Sequence, residues 1–211
     1  TASPTTAPPP VGGSVISTGA STNQLVATLP QAVADQWNAL QASGKGVEWL
    51  NTPNTTEIAS TALAAGGESS QSLIDSINAA AGTGTDRSVL AALNELESPA
   101  GSPVWVFSPL LDTRAPLDFN ELAFDEPPTD VVKAVKKAKA LPDLKGREVS
   151  FVINPVAGEQ VKPSDLQNGY LHAVWEGLAK AAGAKRVEFF DGTGSTAGQG
   201  TGPVVQGPQP D

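Results

Sequence analysis

The sequence has no cysteine and no methionine, and only one histidine and one tyrosine in 211 residues. Without cysteine there are no disulfides, no thiol catalysis and no cysteine-ligated zinc. A single His172 excludes a multi-histidine metal centre. No apolar run is long enough to cross a bilayer as a helix. Basic residues are the minority, 13 Lys+Arg against 22 Asp+Glu, for a net charge of −9. That balance argues against nucleic acid as a partner, because phosphate binding needs basic surface. Methionine is missing even at position 1, which leads to the expectation that a preceding segment has been removed. A lipidated cysteine just before Thr1 would account for this start and would tether the chain.

What is present is a globular composition, 39% hydrophobic, of a length that suggests one domain with tails. Residues 1–13 read as a flexible Thr/Pro stalk, and residues 192–211 as a Gly/Pro-rich tail. Neither offers enough apolar surface to offset its ordering entropy. Residues 14–191 form the body. Strand-like runs are expected at Ser14–Thr18, Gly46–Leu50, Glu57–Leu63, Val104–Ser108, Val149–Asn154 and Arg186–Phe190. Helical periods lie between most of them. The first follows Pro30 and carries Val33, Trp37 and Leu40 up to Gly44. The second carries Leu73, Ile74 and Ile77. The third is expected to be capped by Thr85, with Asp86 in its first turn. The fourth carries Val131 and Val135 and ends at Leu141-Pro142. The last bears a stripe through Leu166, Tyr170, Val174 and Leu178, stopped by Gly183. Gly169 and Gly177 on that stripe suit close approach to a sheet.

Strand–helix alternation predicts an α/β fold, a mostly parallel sheet with helices on both faces. The exception is Gly46–Leu63. Its six-residue link Asn51–Thr56 is too short for a crossover, so the two runs pair as an antiparallel edge hairpin. The continuous apolar run Val104-Trp105-Val106-Phe107 marks a central strand buried on both faces.

Three stretches carry a family resemblance. They are Val104 through Phe119 (VWVFSPLLDTRAPLDF), Asp130-Val131-Val132 with Leu141 through Gly146, and Leu171 through Trp175 with Ala181 through Ala184. Together with the element order, they resemble the von Willebrand factor A-like domains of bacterial envelope proteins that precede OmpA-type domains. The likeness covers about 14–191 and is most specific in the second half. It implies a Rossmann-like three-layer sandwich in an exported, envelope-associated, non-enzymatic domain. The Gly/Pro tail stands where those proteins carry the OmpA-type module, so peptidoglycan binding by that module is not implied.

Metal-binding A-like domains use Asp-x-Ser-x-Ser after the first strand. Here the stretch is Ser17-Thr18-Gly19-Ala20-Ser21, with serine in place of the aspartate. Ser21 and Asp112 are the remaining oxygen donors, and one carboxylate with hydroxyls makes a poor cage for a divalent cation. No metal and no cofactor is therefore expected. Ser21, Asp112 and His172 run in hydrolase order, which keeps a serine hydrolase as the alternative. A cation-dependent adhesion domain is another. His172 in mid-helix beside Glu176 lacks the placement of a positioned base, so the expectation is a protein without catalytic activity. The envisaged partner is another envelope or membrane protein. Partner-binding candidates are Trp49, in the edge hairpin, and Lys133, Lys136 and Lys137 on one side of a helix, positioned for anionic lipid or wall polymer. Of Trp49 and Trp175, one is expected to be exposed; Trp37 and Trp105 are assigned to the core.

Overall fold

The structure, a computed structural model, describes residues 10–18, 27–51, 59–63, 70–79, 88–122, 124, 126–154 and 165–192. Its main sheet has six strands: β1 (Val11–Ser17), β2 (Gly46–Asn51), β3 (Ala59–Leu63), β4 (Val104–Ser108), β7 (Glu148–Ile153) and β8 (Arg186–Asp191). The order across the sheet is β3-β2-β1-β4-β7-β8. All neighbours are parallel except β2 and β3, which pair antiparallel with Val47 opposite Leu63. The edge hairpin and the central β4 are thus as the sequence predicts, and every residue of β4 is buried.

Side-chain alternation splits the core in two. One face of the sheet packs Val15, Trp105, Phe107 and Val152 against Val33 and Trp37 of α1 (Gln31–Ala42) and Leu73, Ile74 and Ile77 of α2 (Ser70–Ala79). The other packs Ile16, Val106, Val149 and Phe151 against α3 (Val89–Asn94), α4 (Pro128–Lys137) and α5 (Asp165–Ala181). Two helix layers around one sheet explain why β4 reads as a continuous apolar run. Beyond β4, Thr113–Arg114 (β5) and Leu117–Asp118 (β6) form a small antiparallel ribbon, which two-residue strands leave without a sequence pattern.

Several boundaries differ from expectation. β1 begins at Val11, so Val11, Gly12 and Gly13 belong to the sheet and not to a stalk; residues 1–9 lie outside the described residues. Gly192 is likewise part of the body. Its amide donates to the Ile153 carbonyl, and its own carbonyl accepts from Thr28 Oγ1 at 2.7 Å. The remaining tail, 193–211, lies outside the described residues. The cap of α3 is Ser88, whose Oγ accepts from the Ala91 amide; Thr85 and Asp86 are not among the described residues. α4 stops at Lys137, four residues before Leu141, because Lys139 turns into the left-handed region (φ 58°) and Ala140 bonds back to Val135.

Gly177 does permit a close approach, but to a helix. A Cβ there would lie 2.9 Å from Val132 Cγ2 of α4, whereas nothing lies within 4 Å of one at Gly169. Gly13 is tighter. A Cβ would sit 2.6 Å from Trp105 Cζ3 and 3.3 Å from the Pro103 carbonyl. Trp105 has no room to retreat, being buried and anchored through Nε1 to Gln36 Oε1 at 2.6 Å. Gly13→Ala is therefore expected to lower stability by about 2 kcal/mol, the scale of overpacking a filled core. Urea unfolding measures this, and an unchanged midpoint would contradict the contact.

Candidate functional site

In an open α/β sheet, the crevice for ligands lies at the carboxyl ends of the strands where the strand order reverses. Here that switch point falls between β1 and β4. The residues at the ends of these strands are Thr18 and Ser108, both buried, and Asp112 follows in the exit loop of β4. Thr18 Oγ1 donates to Ser108 Oγ at 2.6 Å, and that oxygen also accepts from the Leu110 amide at 2.9 Å. Leu110 is buried in the left-handed region (φ 59°), and its carbonyl accepts from Trp175 Nε1 at 3.0 Å. The exit loop of β4 is thereby pinned at both its amide and its carbonyl.

Asp112 is wholly buried. Its Oδ1 and Oδ2 each accept a backbone amide at 2.9 Å, from Val89 and Leu90 at the start of α3. Burial pushes its carboxyl up to about 7, opposed by the hydrogen bonds from Leu90, Val89 and Ser88. A carboxylate spent on the open amides of a helix start acts as a cap. Ser17, the position where a metal-binding A-like domain has aspartate, is also engaged. It accepts from Trp49 Nε1 at 2.8 Å and donates to Asn51 Oδ1 at 3.3 Å. Asp112 is thus engaged with the α3 amides, and Ser17 with Trp49 and Asn51. Among the described residues no group of three or more His, Asp or Glu side chains converges. Ser21 lies outside the described residues.

His172 is elsewhere. Its ring stacks on Phe189 of β8, 4.3 Å between centroids. Burial lowers its pKa, and Glu176 on the next turn opposes this. Asp112 is bound to the start of α3 and His172 lies over the far edge strand, so different elements hold them.

Trp37 and Trp105 lie in the core as expected, whereas neither Trp49 nor Trp175 is fully exposed. Trp175 is fully buried, against Phe151 and hydrogen-bonded to Leu110. Trp49 is half-buried, packed against the α1–α2 core and tied to Ser17, with the rest of its ring at the surface. The large hydrophobic side chain left exposed among the described residues is Phe124, which joins Phe119 and Tyr170 in an aromatic ledge. Lys133, Lys136 and Lys137 are exposed as expected, with Lys133 paired to Asp130 at 2.8 Å.

At the opposite, amino end of the sheet lies a buried polar network that sequence reasoning missed. Glu48 of β2 accepts from Ser14 Oγ and from the amides of Glu97 and Ser98. Arg147 donates to Ser98 Oγ at 2.8 Å and to the Ser98 carbonyl at 2.7 Å. Both charged side chains are at least 95% buried. Burial lowers the Arg147 pKa, with Glu48 and Asp143 acting the other way. A hollow of about 140 Å³ beside Arg147 is lined by Leu93, Asn94 and Lys145. An acidic residue between Val47 and Trp49 is the signal that points to Glu48.

No family model matches the chain, and no curated protein does. Among solved structures, it is similar to an aerotolerance-related membrane protein from Bacteroides fragilis carrying multiple mutations to serine. The two are 12% identical, with a TM-score of 0.37, over 85% of this chain and 91% of the other. No helix among the described residues is long and apolar enough to cross a membrane.

Proposed function

We propose that the chain is a non-catalytic A-like domain of the cell envelope, exported and tethered through its N-terminal segment, that docks on another envelope protein. The observation that carries this reading is the engagement of Asp112. Its two oxygens hold the start of α3, so it offers no free carboxylate at the switch point. A divalent cation needs free oxygens of this kind, and a triad needs an acid facing its histidine. The sheet itself, mostly parallel with an antiparallel edge hairpin and helices on both faces, fits the architecture that the A-like resemblance implies.

The serine-hydrolase alternative requires Asp112 to orient His172, yet one caps α3 and the other stacks on Phe189. The cation-dependent alternative has to take Asp112 away from two amides. Titration calorimetry with magnesium, manganese and calcium is expected to give no binding heat at millimolar ion, and His172→Ala is expected to leave any esterase signal unchanged. Saturable cation binding, or hydrolysis lost in that variant, would defeat the reading. Cross-linking in native membranes followed by mass spectrometry is expected to recover a defined envelope protein.

A further inference from the structure

The charges of this acidic chain are segregated along the strand direction. α4 runs toward the amino end of the sheet and ends in Lys136 and Lys137, followed by Lys139. Lys145 lies in the loop entering β7. That loop is joined to the end of α5: the Leu144 amide donates to the Ala182 carbonyl, Gly146 to Gly183, and Lys185 back to Arg147. Lys45, entering β2, covers the start of β1 beside Gly12. All five lysines are exposed, and no ion pair involves any of them among the described residues. The other exposed bases of this pole, Lys180, Lys185 and Arg186, are matched by Glu176, Glu148 and Glu188. Asp143, Glu95 and Glu97 are the acids left among them.

The carboxyl end is acidic on balance, with Asp118, Glu121, Glu126 and Asp191 against Arg114, while Asp130 is paired with Lys133. A six-residue strand separates the poles by about 20 Å, more than two Debye lengths at physiological salt, where one is about 8 Å. A surface touching the amino pole therefore senses that pole and little of the chain's overall charge of −9. The chain enters β1 at this same pole, where the Gly46 amide bonds the Pro10 carbonyl. Pro10, the first described residue, therefore lies at the basic end.

We infer that the amino-end pole, through Lys136, Lys137, Lys139 and Lys145, is the face that meets an anionic lipid bilayer. The setting rests on the tethered envelope reading above. Each basic residue brought to an anionic leaflet strengthens partitioning roughly five-fold, and the neighbouring acids oppose part of this. The contact is weak alone and is reinforced when a tether raises the local concentration. It orients the domain so that the acidic end and the β4 exit loop face away from the membrane.

The test is co-sedimentation of the full chain with vesicles of phosphatidylcholine containing phosphatidylglycerol, against pure phosphatidylcholine, at about 0.1 M salt, where the Debye length is about 10 Å. Binding is expected only to the anionic vesicles, lost at high salt. The combined variant K136E/K137E/K139E/K145E is expected to lose at least ~100-fold in partitioning, with an unchanged circular dichroism spectrum. E121K/E126K, at the other pole, is expected to bind as the parent does. Failure of the parent to bind, equal binding by the four-lysine variant, or binding to soluble polyphosphate but not to vesicles would each overturn the inference. Detergent-phase partitioning of the native protein reads the tether separately, and its result does not alter the vesicle assay.

Discussion

Glu48→Ala is expected to lower the unfolding free energy by about 3–5 kcal/mol, the cost of leaving the Ser14 hydroxyl and two amides without their acceptor. The carboxylate links three segments: β1 through Ser14, β2 itself, and the link after α3 through the Glu97 and Ser98 amides. Its removal takes away a carboxylate that acts on the buried Arg147 through space, though Arg147 keeps its bonds to Ser98 and Ser102, and it leaves two amides without an acceptor. Replacing Glu48 by Leu together with Arg147 by Met is expected to recover part of the loss, since it removes two buried charges of opposite sign at similar volume. Recovery should be incomplete because the two amides still lack an acceptor. A double-mutant cycle in urea measures both effects. A loss below about 1 kcal/mol for Glu48→Ala would mean the network contributes little.

Asp112 is expected to impose an inverted pH dependence. Its folded pKa is raised from 3.8 to about 7. Between those values the native state holds a proton that the unfolded chain releases, so the contribution of Asp112 to stability falls as pH rises and levels off above about 7. A tenfold difference in proton affinity between the two states is worth about 1.4 kcal/mol. Between pH 5 and pH 8, the stability of the parent relative to Asp112→Asn should therefore decline by roughly 3 kcal/mol. Denaturant titrations of both proteins across this range measure it. A difference that is flat, or that grows with pH, would show that the α3 amides hold the carboxylate ionised throughout.

The features legible in the sequence are those where one physical signal dominates. Val104 through Phe107 is continuously apolar because helices cover β4 on both faces, and a six-residue link leaves Gly46–Leu63 no path but a hairpin. Trp175 is harder to place from sequence. It stands four residues after Leu171, but α5 is buried over a wider arc than one stripe, between the sheet and the β4 exit loop. In β2 the apolar side chains Val47 and Trp49 share one parity, yet Glu48 and Leu50 are the more deeply buried. A strand between two helix layers has no solvent side, so parity does not distinguish a core position from a surface one. Asp112 is legible as a lone carboxylate near the switch point. Its actual partners are backbone amides 22 and 23 residues upstream, and amides carry no sequence signature.

The placement of β1 also constrains how the chain assembles. The first strand occupies the middle of the sheet, where Ser14 lies between Glu48 of β2 and Val104 of β4. One neighbour is available after about 35 residues, and the other only after 90. Such separations raise contact order and slow folding, because loop closure precedes the contacts that reward it. Until Ser108 has been made, one flank of β1 is open, with its ladder of amides and carbonyls unpaired. An emerging chain of this topology therefore stays uncommitted until more than half its length is available.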